Sequence, residues 1–140
     1  MSLDDFAIGQ SAELTRTLTE ADVMAFAEVT GDFNPVHVDA EAAAASSFGE
    51  RIVHGMLTAS LLSALLASKL PGPGAIYLSQ TLRFLRPVKL GDTVTAHVAI
   101  TAIDTDKRRL TLATAVRNAR GKNVIDGEAI VQLEQSGTVS

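Results

Sequence analysis

His54-Gly55-Met56-Leu57-Thr58-Ala59-Ser60-Leu61-Leu62-Ser63-Ala64-Leu65-Leu66-Ala67-Ser68-Lys69, closed by Leu70-Pro71-Gly72-Pro73-Gly74, is the stretch whose reading decides the fold. Leu57, Leu61, Leu62, Leu65 and Leu66 recur at helical spacing, and Ala59, Ala64 and Ala67 cover most of the remaining circumference. The spacing predicts one long helix over 54–69, apolar on every side and therefore buried within the domain. Two Pro-Gly pairs end it. Ser60, Ser63 and Ser68 interrupt the apolar run from Met56 to Leu70, which falls short of the roughly 20 residues a membrane span needs.

Beyond Gly74 the hydrophobic period changes from helical to two. Ile76–Phe84, Thr93–Ile103, Arg109–Asn118 and Val124–Leu133 read as strands. In the second, Val94, Ala96, Val98 and Ile100 alternate with Thr93, Thr95, His97 and Thr101, the pattern of a half-buried antiparallel strand. Turn signals separate the strands at Gly91-Asp92, Asp104-Thr105-Asp106 and Gly121-Lys122-Asn123. With an early strand near Phe6–Leu14, these elements predict an α+β fold in which a five-stranded antiparallel sheet faces the buried helix. Its exposed edge strand is most simply paired across a two-fold dimer.

Upstream of the long helix, the spacing predicts a helix over Glu20–Thr30, with Thr19 and Asp22 as a capping pair and Gly31 just past its end. Val23, Phe26, Ala27 and Thr30 form its inward stripe. Asp39 caps a short Ala-rich helix over Ala40–Ser47, which Gly49 stops.

With 140 residues and no segment resembling a linker or repeat, the chain is expected to be a single domain over 1–140. Hydrophobic residues make up 46%, enough to build a core without staples, and there is no Cys. That excludes disulfides, thiolate nucleophiles and Cys-based zinc sites. A net charge of −4 argues against a nucleic-acid surface, and five Phe, one Tyr and no Trp are too few for base-stacking platforms. The acidic start, Met1-Ser2-Leu3-Asp4-Asp5-Phe6, is unlike a signal peptide, so a soluble cytoplasmic protein is expected.

Chemistry concentrates in Thr30-Gly31-Asp32-Phe33-Asn34-Pro35-Val36-His37-Val38-Asp39. Pro35 stiffens the backbone between Asp32 and His37, holding a carboxylate and an imidazole at a set separation where both can reach one water. The same residues also make good turn chemistry, Asp and Asn bonding their own backbone. Gly55 opens the long helix, where an unpaired N–H and the positive dipole end can stabilise an oxyanion; close packing is the alternative reason for a glycine there. Ser63, further along, either meets a substrate or bonds back to the preceding turn. His54 is read as orienting the loop rather than as catalytic, and His97 as a surface residue. His37, Asp39 and His54 match no regular metal-ligand spacing. Arg83, Arg86 and Lys89, with Lys107, Arg108 and Arg109, can receive phosphates of a cofactor-like tail or simply be solvated.

The stretch from Phe26 through Asp39, with Gly31-Asp32-Phe33-Asn34-Pro35-Val36-His37, resembles the signature of R-specific enoyl-CoA hydratases, the hydratase 2 or MaoC-like group. Ile52-Val53-His54-Gly55-Met56 and Phe84-Leu85-Arg86-Pro87-Val88-Lys89-Leu90-Gly91-Asp92 resemble the family too, and the likeness covers nearly the whole chain. It implies a hot-dog fold and a homodimer with active sites near the subunit interface. The implied reaction is reversible syn hydration of a trans-2-enoyl-CoA to an (R)-3-hydroxyacyl-CoA, in some short members supplying polyhydroxyalkanoate synthesis. Asp32 and His37 match the catalytic pair, Gly55 the thioester-oxygen donor and Ser63 a supporting serine, with Asn34 beside the substrate. No metal or redox cofactor is implied. Which of Asp32 and His37 is base and which acid stays open, with Asp32 favoured as base. A dehydratase acting on acyl carrier protein, a hot-dog thioesterase and a non-catalytic acyl-thioester binder are the rival readings. Leu65, Leu66 and Val131 are candidate walls of the acyl pocket.

Overall fold

The computed structural model describes residues 2–134. Five strands follow one path, β1 (Ser11–Thr17), β4 (Thr93–Asp104), β5 (Arg109–Arg117), β6 (Asn123–Leu133) and β2 (Ala75–Gln80), and a two-residue β3 (Arg83–Phe84) pairs with β6 beside β2. Every pairing is antiparallel. Among the described residues there are four α-helices, α1 (Glu20–Thr30), α2 (Pro35–Val38), α3 (Ala40–Ala44) and α4 (Gly55–Ser68). A long helix wrapped by one antiparallel sheet is the hot-dog, α+β arrangement expected above.

Helix α4 buries Thr58, Leu61, Leu62, Leu65 and Leu66, a stripe at three- and four-residue spacing, with Ala59 beside it. The stripe meets Val94, Ala96, Val98 and Ile100 of β4 and Leu110, Leu112 and Val116 of β5 in one apolar core. The alternation read along 93–101 therefore faces inward as expected. The expectation that α4 is buried on every side is not met. Met56, Ser60, Ser63, Ala64, Ala67 and Ser68 face outward, because the chain has a single sheet and nothing of its own to lay over the helix's second face.

Two strand boundaries also differ from the reading. Leu3–Asp5 form a turn of 3-10 helix capped by Ser2, and Gly9, at φ +94°, turns the chain, so β1 starts at Ser11 rather than near Phe6. The run Ile76–Phe84 is interrupted. Thr81 crosses β6 at Gly127, whose missing side chain makes room: a Cβ there would lie 1.8 Å from the Thr81 carbonyl oxygen. Thr81 N–H donates to the Glu128 carbonyl at 2.9 Å, and Glu128 N–H donates to the Thr81 hydroxyl at 3.0 Å.

Helix α1 spans Glu20–Thr30 as expected. Thr19 and Asp22 form the reciprocal capping box, and Gly31 ends the helix at φ +80°. Val23 and Ala27 are buried and Phe26 is half-buried. Thr30 is exposed, contrary to the inward stripe read for it, and its hydroxyl bonds back to the Phe26 carbonyl. The Ala-rich helix is shorter than read, ending at Ala44. Arg51 clamps α1 to α2: its Nε donates to the His37 carbonyl at 2.7 Å and its Nη1 to Glu20 at 2.6 Å. Val53 N–H then donates to the Val88 carbonyl at 2.7 Å, which fixes the approach to α4. Among the described residues, no helix is long and apolar enough to cross a membrane.

Candidate active site

The turn after α1 is held by its own polar side chains. Asp32 N–H donates to the Thr30 hydroxyl, Asn34 N–H to the Asp32 carboxylate and Val36 N–H to the Asn34 side-chain oxygen, at 3.2, 3.2 and 3.4 Å. Pro35 at the first position of α2 then sets a helical φ. The turn chemistry read from sequence is present, and the same turn leads into the short helix that carries His37 inward. Asn34 itself is exposed, and its side chain serves as the cap of α2.

His37 is 8% exposed, and its Nδ1 lies 2.8 Å from the Ile52 carbonyl oxygen. A carbonyl only accepts, so Nδ1 carries the hydrogen and Nε2 of the neutral ring presents a lone pair. His54 is 1% exposed, and its Nε2 lies 3.0 Å from the Asp32 backbone carbonyl oxygen. The two imidazoles stack with centroids 4.0 Å apart, and Phe26 packs on the other ring at 4.8 Å. Donor atoms of Asp32, His37 and His54 all lie within 4.8 Å of one another.

Asp32, His37, His54 and Gly55 line one cavity of about 500 Å³. Its remaining wall is largely apolar, with Phe48, Met56, Phe84 and Leu85 among its members. Gly55 is the first residue of α4, so its N–H has no carbonyl one turn back. A Cβ at Gly55 would lie 2.7 Å from the Phe84 ring, so a larger residue there would have to displace that ring. A cavity of this size with few convergent polar groups is the form small-molecule sites take.

The other residues singled out from sequence lie elsewhere. Ser63 lines a neighbouring cavity of about 510 Å³ on the open face of α4, with Tyr77 and Leu78; Met56 borders both cavities. Leu65, Leu66 and Val131 are 0, 2 and 1% exposed and belong to the core between helix and sheet, not to either cavity wall. Their inward spacing is what buried them there. His97 is half-buried on the sheet's outer face. The basic groups are mostly engaged: Arg83 makes a two-pronged pair with Asp126 at 2.8 Å, Lys89 meets Glu50 at 3.3 Å, and Arg108 donates to the Glu134 carbonyl. The Arg83 side-chain hydrogen bonds hold the Asp126 carboxyl below its ordinary range. Arg86 alone of the group borders the main cavity, with its Nη1 on the Asn123 carbonyl. Sequence reasoning did not anticipate Phe48 and Phe84 as cavity walls. Isolated aromatics in loops and at strand ends carry no periodic signal.

The chain is similar to proteins of known fold and activity. A family model described as "MaoC like domain" matches residues 5–122. The chain is 46% identical over 134 residues to an "(R)-specific enoyl-CoA hydratase" of Rhodospirillum rubrum, covering 96% of this chain and 92% of the relative. A solved structure titled "(R)-hydratase from A. caviae involved in PHA biosynthesis" superposes with a TM-score of 0.90 at 47% identity, covering 92% of this chain and 98% of that one. A 3-hydroxyacyl-[acyl-carrier-protein] dehydratase of Solanum lycopersicum is 41% identical, over 90% of this chain and 76% of the relative.

Proposed function

The chain belongs to the MaoC-like domain family, and on that premise we propose that it is an (R)-specific enoyl-CoA hydratase. The reaction is reversible syn addition of water across the double bond of a trans-2-enoyl-CoA, giving an (R)-3-hydroxyacyl-CoA. The single observation that carries the mechanism is the 2.8 Å bond from His37 Nδ1 to the Ile52 carbonyl. It leaves His37 Nε2 as an acceptor beside the Asp32 carboxylate, which is also an acceptor. Two acceptors facing one water take its two hydrogens and turn an oxygen lone pair towards the substrate's C3.

Asp32 removes one proton as the oxygen bonds to C3, while the π electrons move towards the thioester oxygen. Gly55 N–H, at the positive end of α4, stabilises that enolate oxygen. The Asp32 carboxyl returns the proton to C2 on the same face, so the carboxylate is restored and the elements of water are added with nothing left over. His37 holds the water throughout. The scheme uses no metal or redox group, and activity is expected to persist after dialysis against a chelator.

The outward face of α4, with exposed Met56, Tyr77, Leu78, Phe84 and Leu85 around it, supports assembly as a homodimer. In the dimer Ser63 and its cavity are covered by the second subunit. Arg86 on the cavity rim suits the phosphates of a CoA tail, and the product fits a supply of (R)-3-hydroxyacyl units for polyhydroxyalkanoate synthesis. The test is loss of conjugation in crotonyl-CoA with chiral analysis of the product, run beside the same acyl group on acyl carrier protein. An S product, or release of free CoA without hydration, would overturn the reading. A strong preference for the carrier protein would instead move it to the dehydratase of fatty-acid elongation.

A further inference from the structure

His54 takes no part in the scheme above, yet its side chain is almost fully enclosed, 1% exposed like Thr58 beside it. Its Nε2 donates to the backbone carbonyl of Asp32, the residue whose carboxylate acts as base. Its ring contacts the rings of both His37 and Phe26. Its other nitrogen, Nδ1, is buried without a hydrogen-bond partner, as is the hydroxyl of Thr58 one turn along the same helix. Both residues border the cavity.

An unpartnered buried nitrogen destabilises the fold, and a phenylalanine or leucine at position 54 would pack against Phe26 without that cost. The cap of α4 does not account for the histidine either, since its side chain makes no capping bond. What only a ring with an N–H at this corner supplies is a simultaneous hold on both halves of the pair. The donor ties the main chain of Asp32, in an exposed turn whose other hydrogen bonds among the described residues are local, and the ring contacts the imidazole of His37. We propose that His54 is a positioning residue that sets the separation of Asp32 and His37 through the Nε2–H bond to the Asp32 carbonyl. The proposal rests on the hydratase reading of that pair.

Two variants separate the hydrogen bond from the packing. His54→Phe keeps an aromatic ring against Phe26 and His37 but removes the donor. His54→Gln keeps a side-chain N–H at the place of Nε2 but removes the ring. If the bond positions the pair, His54→Phe lowers kcat for crotonyl-CoA hydration about 100-fold, the scale of a misplacement near 1 Å. KM stays within about threefold and the melting temperature is not lowered. His54→Gln keeps kcat within about tenfold of the parent. A His54→Phe enzyme with parental kcat would overturn the proposal. So would a folded His54→Gln enzyme whose kcat falls about 100-fold or more below the parent's, and this second arm decides the matter even where the Phe variant does not fold. Asp32→Asn is run alongside: if it stays active, the reading of the pair itself has failed, whatever position 54 does.

Discussion

The sheet with α4 and the segment from Gly31 to His54 are built on opposite principles. The first is held by apolar burial: Leu62, Leu65, Val94, Val98, Leu110 and Leu112 are closed off from solvent, and ladder hydrogen bonds satisfy the backbone between them. The second has little core of its own. Asp32, Asn34 and Asp39 bond neighbouring backbone groups, Arg51 bridges α1 and α2, and two histidines are tied to carbonyls. Non-directional burial gives a rigid platform. Directional bonds place particular atoms at particular distances, at little gain in stability. The difference teaches that substitutions in the first region read out in folding and those in the second in turnover.

The widest separation of the two readouts is expected at Asp32. Asp32→Asn removes the proposed base while keeping an oxygen for Asn34 N–H, so hydration should fall by roughly 10²–10⁴-fold. That corresponds to about 3–5 kcal/mol in the barrier, with an unchanged melting curve. Leu62→Ala is the converse. A fully buried leucine at the helix–sheet contact should cost about 2–5 kcal/mol of stability in chemical denaturation. The kcat of the folded fraction should stay close to the parent's. If Leu62→Ala impaired turnover as strongly as folding, the platform and the site would not be separable.

The legibility of the two regions differs in the same way. Periodicity located α4 to within a residue at each end and gave the inward faces of β4 and β5, because burial leaves a repeating pattern. It failed where one contact overrides the pattern. The break in the strand run comes from Thr81 passing over Gly127, two residues that are adjacent in space and far apart in sequence. The buried-on-every-side reading of α4 failed because alanine and serine suit an exposed helix face as well as a core. Asp32 and His37 stood out by residue type on a stiff turn. The link from His54 to the Asp32 carbonyl did not, since a bond to a backbone atom leaves no trace in the partner's identity.

Arg51 sharpens the comparison at intermediate size. Its guanidinium reaches Glu20, and its Nε holds the carbonyl of His37 itself. Arg51→Met keeps most of the stem and removes the donors. An unpaired carbonyl and a lost part-buried pair should together cost about 1–3 kcal/mol. A kcat loss of about tenfold is expected as α2 loosens, seen by steady-state assay next to thermal melting. A loss confined to stability would place Arg51 with the platform.

The smallest effect lies at Asp22 on α1, outside both regions, and it is a pH effect. The Thr19 backbone N–H, 3.0 Å from the carboxylate, is the main cause that holds the Asp22 carboxyl below its ordinary value of 3.8, with the Thr19 hydroxyl and Arg16 adding to it against partial burial. A carboxyl with a lowered folded pKa contributes its stabilisation in full above the unfolded value. It loses that contribution as pH falls through the folded value. Asp22→Asn should therefore lower stability at neutral pH by about 0.3–1 kcal/mol, the size of an exposed helix-end charge. Parent and variant should converge only once the pH has fallen below the folded value, itself under 3.8, because the parent's carboxylate is then protonated too. Denaturation curves across that range measure the gap directly. Because Asp22 touches neither Asp32 nor His37, the pH profile of hydration should be identical in the two proteins. A shifted profile would show that the end of α1 is coupled to the turn it feeds, and that the turn is not positioned by its own bonds alone.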